Sequence, residues 1–301
     1  MTSLARFDFD FFAMGSLCSI SLYSDGPDHA ARIAGAAIAE VRRIEHRYSR
    51  YLADSLLSKI NRAATAGESI HVDDETGHLI DHAFVAYKQS DGLFDISSGL
   101  LRKIWNDDTV RIPGQADIRA ILNRIGLEKV SWKRPTLSFD VAGMELDFGG
   151  LAKEYAADRA ADACRSNGAC HGLVNLGGDV AVFAPHPDGS PWHIGIQNPL
   201  GGEIAVATLF VPRGGVATSG DYARYFMVEG RRFSHALDPR TGWPIDGLPS
   251  VTAAGDSCLA AGLMATSALL RGNDGPRWLE SMGVQHLYVH ANGTLGGSLV
   301  S

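Results

Sequence analysis

Between Leu137 and Cys164 the hydrophobic period changes abruptly, and that change limits the fold more than any other feature. Leu137, Phe139 and Val141 alternate with polar neighbours, Ala142-Gly143 reads as a turn, and Met144, Leu146 and Phe148 alternate again. A period of two is the mark of a strand with one face buried, so the stretch predicts a hairpin. Gly149-Gly150 then leads directly into an Ala-rich helix over 152–164, which ends near Asn167-Gly168. A hairpin feeding a helix is not the βαβ rhythm of a parallel sheet. Upstream, 18–23 reads as a strand, and Ile33, Ala37, Val41 and Ile44 recur at spacings of four, four and three. That spacing predicts an amphipathic helix with Arg42 and Arg43 on its wet side.

Helices are also expected over 76–89 and 117–125, the second starting on an Asp cap and stopping at Gly126. Strands are expected over 173–176, 192–197 and 204–211, and a hairpin pairs 222–228 with 231–237 around Glu229-Gly230. The chain closes on helices near 259–270 and 277–282 and strands near 287–290 and 295–300. No repeat, low-complexity tract or charged linker divides it. The expectation is therefore α+β: one domain over residues 1–301, built of two interleaved α/β lobes.

The charge balance excludes one class of partner. With 27 Lys and Arg against 34 Asp and Glu, the net charge is −7, which offers no footprint for a nucleic-acid backbone. No segment reaches the ~18–20 apolar residues of a membrane span; the richest, 30–41, is broken by Arg32 and Glu40. Residues 1–12 lack a basic start, and Asp8 and Asp10 interrupt them, so they do not read as a signal peptide. Cys18, Cys164, Cys170 and Cys258 form no CxxC pair. Reduced thiols in a cytoplasmic protein are expected. Glycine is the outlier, at 34 of 301 residues against a typical ~7%. Such enrichment points to tight turns or to backbone that approaches a ligand closely.

Three places could carry chemistry. Gly149-Gly150 before a helix could bring a phosphate onto free N–H groups, or could serve as a tight strand-to-helix turn. Gly177-Gly178 follows a strand and puts Asp179 where it could bind a ligand or satisfy turn N–H groups. His235, with Asp221 and Asp238 near it in sequence, could be a general base or a structural histidine. No GxGxxG, GxSxG or EF-hand pattern is present. Any metal would be a hard ion such as Mg²⁺, held by scattered oxygens and by phosphates.

Taken together, these segments resemble the ApbE family of flavin transferases. The matching pieces occur in order: Met14-Gly15-Ser16, residues 47–51 and 55–61, Asp147-Phe148-Gly149-Gly150-Leu151-Ala152-Lys153, Asn175-Leu176-Gly177-Gly178-Asp179, Ser219-Gly220-Asp221-Tyr222, and His235 with 238–242. The resemblance implies an ApbE-like fold and a reaction in which FAD, with Mg²⁺, is cleaved at its pyrophosphate. FMN passes to a Thr hydroxyl of a target protein and AMP leaves. It further implies that Met14, Tyr51, Gly149, Gly150, Lys153, Gly178, Asp179 and Asp221 line the FAD pocket. His235 or the neighbouring Asp238 would take the acceptor proton, and the Ala152 carbonyl and Thr266 would hold the metal. Related activities to set beside transfer are FAD binding alone and FAD hydrolysis to FMN and AMP.

Two departures from the family pattern bear on the metal. Gly262 stands where a carboxylate is usual, a loss that Asp256 or Asp238 could make good. Glu154 stands where Gly often follows the motif lysine, and reads as an exposed helix residue rather than a compensating ligand.

Overall fold

Strand alternation begins nearer the N-terminus than 18–23. In the computed structural model, which describes residues 4–202, 204–222 and 224–300, β1 (Ala5–Ala13) and β2 (Ser16–Ser24) form an antiparallel hairpin. Next come α1 (Pro27–Tyr48), α2 (Leu56–Ala66), β3 (Ile70–His71) and α3 (Asp74–Gln89). α4 (Gln115–Leu122), β4 (Val130–Lys133) and β5 (Thr136–Phe139) precede α5 (Ala152–Ser166). The second half adds β6 (Gly172–Leu176), β7 (Asp179–Ala184), β8 (Trp192–Ile196), β9 (Ala207–Val211) and β10 (Gly214–Gly220). After them come β11 (Tyr225–Val228), β12 (Arg231–Ser234), β13 (Ser250–Gly255) and α6 (Cys258–Leu270). The last elements are α7 (Gly275–Ser281), β14 (Gln285–Val289) and β15 (Leu295–Gly296).

The architecture is α+β. The large sheet is antiparallel throughout, in the order β1-β2-β6-β7-β10-β13-β14-β15. On one face lie the helices: Ile33, Ala37, Val41 and Ile44 of α1 share a core with Ala156 and Ala160 of α5 and with Val174 and Phe183 of the sheet. On the other face Leu173, Val180 and Val182 pack against Trp192, Ile196 and Leu209 of the β8–β9 ribbon. Residues 49–139, inserted between α1 and α5, carry a small sheet ordered β3-β5-β4. Leu79, Ile80 and Leu137 from this insert belong to the same core as α1 and α5. No helix among the described residues is long and apolar enough to cross a membrane, and all four cysteines are free.

The hairpin expected between 137 and 148 is not there. β5 pairs with β4 and β3 instead, while 144–148 belongs to no strand among the described residues. Met144, Leu146 and Phe148 are nonetheless buried. Alternation reports which face is buried, not what pairs the backbone. Here a side chain does the pairing: Leu146 N–H donates to Asn61 Oδ1 at 2.7 Å, and Asn61 Nδ2 donates to the Leu146 carbonyl at 2.9 Å. The helix expected over 117–125 starts at Gln115 with Gly114 at its N-cap, so Asp117 sits in the first turn rather than capping it. The hairpin around Glu229-Gly230 is present but shorter, pairing Tyr225–Val228 with Arg231–Ser234.

Candidate active site

Two tight turns at one end of the large sheet frame the site. Met14 (φ 52°) and Gly15 (φ 70°) join β1 to β2, and Gly177 (φ 61°) and Gly178 (φ 99°) join β6 to β7. Two-residue hairpins need left-handed residues to follow the twist of their strands. Met14 is therefore an unusual choice; its N–H is anchored to the Glu45 carboxylate at 2.5 Å. The turns lie side by side. A Cβ at Gly177 would come within 2.6 Å of Ser16 Oγ, so glycine is needed there for space as well as for φ. A cavity of about 440 Å³ lies on the β8–β9 face of the sheet, lined by Arg6, Asn175, Trp192 and His193 among others, and of the residues expected at the site only Gly178 borders it.

The same end receives the start of α5. Asp147 N–H is held by the Ile96 carbonyl at 2.7 Å, and Asp147 Oδ1 accepts the Gly149 N–H at 2.9 Å. Among the described residues no side chain caps α5, whose N-cap is Leu151. The Leu151 and Ala152 N–H groups donate to the Phe148 carbonyl at 3.0 and 2.8 Å, so the partial positive charge of the helix start is presented by the N–H groups that follow, at Lys153 and Glu154. One residue into the helix, Lys153 Nζ meets Asp179 Oδ2 at 2.5 Å. Asp179 also accepts the Thr218 N–H at 3.3 Å, which ties β7 to β10. Burial works against the charge on Lys153, but Asp179 beside it prevails and holds the amine above its ordinary value. Burial raises the Asp179 carboxyl in spite of Lys153.

The β11–β12 hairpin delivers His235 just beyond β12. Its Nδ1 donates to the Arg224 carbonyl at 2.9 Å, which leaves Nε2 as the unprotonated nitrogen. Burial lowers the His235 pKa below 6.5, so the neutral, proton-accepting form is the stable one near neutral pH. Arg224 also reaches the first turn: a Cβ at Gly15 would lie 3.8 Å from its guanidinium. Asp221, at the end of β10, receives Arg232 at 3.0 Å. Asp238 is engaged within its own loop, accepting the Arg240 N–H at 2.8 Å and pairing with its guanidinium at 3.0 Å. Tyr51 is 82% exposed; its hydroxyl accepts from Arg50 at 2.9 Å, and Arg50 pairs with Asp147.

Glu154 is not an exposed helix residue. It is 6% exposed and lies across α6 at Gly262, where a Cβ would overlap its Cγ. The physical reason is helical period: 154 lies on one face with Ala157 and Ala161, both buried. Burial pushes the Glu154 carboxyl up to about 8, with Asp179 adding and Lys153 opposing. Thr266, one turn beyond Gly262, exchanges a hydrogen bond with Ser219 Oγ at 2.7 Å. Asp256 is exposed and follows β13 at the end remote from Ser250 and Gly220. Asp256 and the Arg240-paired Asp238 are thus poorly placed to stand in at 262. No three His, Cys, Asp or Glu side chains among the described residues converge as a metal cluster.

Met14, Gly178, Lys153, Asp179 and the start of α5 are thus brought together. His235 joins them through Arg224, and Tyr51 through Arg50 and Asp147. Nothing in the sequence marks Arg224, because its carbonyl is what positions His235. Comparisons with known proteins bear on the chain as a whole. The model of the ApbE family matches residues 14–288. The FAD:protein FMN transferase of Klebsiella pneumoniae is 34% identical over 245 residues, covering 79% of this chain and 74% of that protein. The one from Vibrio cholerae is 30% identical over 240 residues, covering 78% and 72%. The crystal structure of the ApbE protein from Thermotoga maritima superposes with a TM-score of 0.90 at 32% identity, covering 98% of this chain and 97% of that one. The apo flavinyl transferase ApbE of Pseudomonas stutzeri gives 0.84 at 30% identity, covering 97% and 93%. The chain belongs to the ApbE family.

Proposed function

We propose that this protein is an FAD:protein FMN transferase. The observation that carries the reading is the convergence, at one end of the sheet, of an uncapped helix N-terminus, the Lys153–Asp179 pair and a neutral His235. The relatives named as FAD:protein FMN transferases support it. In this reading the FAD pyrophosphate lies against Gly149, Gly150 and the first N–H groups of α5. Met14, Tyr51, Gly178, Asp179 and Asp221 line the pocket, and Lys153 adds positive charge. His235 Nε2 takes the proton of an acceptor Thr hydroxyl as its oxygen bonds to the FMN phosphorus. The bond from that phosphorus to the bridging oxygen breaks, and AMP leaves with that oxygen. Asp238 holds the loop that follows His235.

The residues present suit a hard divalent cation such as Mg²⁺. The Thr266 hydroxyl and the Ala152 carbonyl would contribute to holding it, and Glu154 Oε2, buried with no hydrogen-bond partner among the described residues, is an oxygen still in want of one. Such an ion, when bound, offsets charge on the phosphate oxygens during phosphoryl transfer. The free cysteines suit a reducing, cytoplasmic setting, and the net charge of −7 suits a partner other than nucleic acid. The test is intact-mass spectrometry of a Thr-bearing acceptor domain after incubation with the protein, FAD and Mg²⁺, beside an EDTA control. A metal-dependent gain of one FMN is expected. Free FMN and AMP with an unmodified acceptor would mean hydrolysis, and intact bound FAD would mean binding alone; either overturns the transferase reading.

A further inference from the structure

Glu154 and Asp158 stand one turn apart on α5, and the contrast between them is informative. Asp158 is a carboxylate with a structural task. Its two oxygens accept the Cys258 N–H at 2.8 Å and the Leu259 N–H at 2.9 Å, closing the N-terminus of α6. Glu154 is more deeply buried and has no comparable task. Its Oε2 is the one carboxylate oxygen among the described residues that is buried without a hydrogen-bond partner. An orphaned buried oxygen is costly, and native chains rarely keep one without a use for it.

Position makes that use specific. The Glu154 side chain fills the space left by the missing side chain of Gly262 on the facing helix. Thr266, four residues on along α6, presents its hydroxyl to Ser219 at the turn end of the sheet. On α5, Lys153 precedes Glu154 and pairs with Asp179, and Ala152 is the first residue of the helix. Glu154 thus meets α6 at Gly262, one turn from the Thr266 hydroxyl that would take the cation, and lies in the first turn of the helix that would take the pyrophosphate.

We infer that Glu154 is the anionic protein ligand of the divalent cation, delivered from α5 through the gap that Gly262 opens on α6. The inference rests on the proposed phosphoryl-transfer site and names the residue that supplies its metal charge. Hard cations are held by oxygens, and their affinity follows the count of charged ligands. Gly262 is then a requirement of the site, since any side chain there would displace Glu154.

Mn²⁺ binding tests this, read by EPR of free Mn²⁺ at saturating FAD, with FAD affinity measured separately in EDTA. The variants are Glu154→Gln, which keeps shape and removes charge, and the double variant Glu154→Gly/Gly262→Asp, which moves the carboxylate to α6. Glu154→Gln is expected to weaken Mn²⁺ at least tenfold while FAD affinity in EDTA stays within about threefold. The double variant is expected to return Mn²⁺ affinity to within about threefold of wild type. Wild-type Mn²⁺ affinity in Glu154→Gln overturns the inference. Should Glu154→Gln not fold, the double variant decides alone: Mn²⁺ bound as in wild type supports the inference, and a loss of tenfold or more sinks it. AMP release from FAD by the wild type, with acceptor present, separates the two readings. Metal-dependent release with an unaltered Glu154→Gln titration removes only Glu154. A wild type that neither binds Mn²⁺ nor releases AMP removes both.

Discussion

Lys153 and Asp179 form an asymmetric pair, so removing one partner should not cost the same as removing the other. The Asp179 side chain is 3% exposed against 31% for Lys153. Lys153→Met leaves a carboxyl in the interior whose remaining hydrogen bond, among the described residues, is the Thr218 N–H at 3.3 Å. Breaking a buried pair costs about 3–5 kcal/mol. The low end, about 3 kcal/mol, is expected because Asp179 can take up a proton instead of staying charged. Asp179→Asn keeps an acceptor for Thr218 and leaves a cation that already reaches solvent, so about 1 kcal/mol is expected. With an unfolding entropy of ~2.1 cal/mol/K per residue, the first loss lowers the melting temperature of this 301-residue chain by roughly 5 °C and the second by under ~2 °C. The larger deficit also depends on pH. Burial raises the Asp179 pKa in the folded protein, and loss of Lys153 raises it further. A carboxyl whose folded pKa exceeds its unfolded value favours the fold below the unfolded pKa, and that contribution is lost as pH rises through the folded pKa. The Lys153→Met deficit should therefore be small in acid and reach full size at neutral pH. Thermal unfolding of both variants at about pH 5 and about pH 8 measures it. An Asp179→Asn protein that melts below Lys153→Met, or a Lys153→Met deficit equal at both pH values, refutes the reasoning.

Two further outcomes follow from the geometry. His235→Ala should slow FMN transfer by about 10²–10⁴-fold, the usual worth of a general base, with FAD affinity unchanged by fluorescence titration. The wild-type rate should fall in acid through a pKa below the ordinary 6.5, since burial favours neutral His235; an acid limb centred higher contradicts the assignment. Asn61→Ala should cost about 2–4 kcal/mol in urea unfolding, because it leaves the Leu146 N–H and carbonyl buried and unpaired. A loss under about 1 kcal/mol would mean that water replaces the amide.

Legibility of the fold followed the contrast between a wet and a dry face. α1 was readable because Ile33, Ala37, Val41 and Ile44 are buried while Arg42 and Arg43 are exposed. β7 was not readable. Val180 and Val182 face one core while Ala181 and Phe183 face the other, and a strand buried on both sides has no polar half to alternate with. β10 and β13 escaped for a second reason: Gly214, Gly215, Ala217 and Gly220 in the one, and Ala253, Ala254 and Gly255 in the other, have little intrinsic strand preference and dilute the Val and Thr residues beside them. Their pairing comes from their place in the sheet. α2 had a local sign, the Ser55 side chain accepting the Ser58 N–H at 3.0 Å, but Leu57, Ile60 and Ala64 make only a short buried stripe.

The candidate site could be read only as motifs, whereas its geometry had to come from the fold. The two glycine pairs look alike in sequence and serve different ends. Gly177 and Gly178 occupy the left-handed region that a tight hairpin demands, and neither Gly149 nor Gly150 does. A Cβ at Gly150 would instead press on the Phe94 ring at 3.3 Å, so glycine there answers to packing and to access. Glu154 shows the limit of residue type as a guide. Its period, shared with Ala157 and Ala161, says buried, while its chemistry says exposed. Where local preference and pattern disagree, folding alone gains nothing from the residue, and the disagreement itself marks a position with another use. A glycine at 154 would satisfy packing against an ordinary side chain at 262. The chain carries the opposite arrangement, with the charge on α5 and the gap on α6, so the two positions have to be understood as a pair.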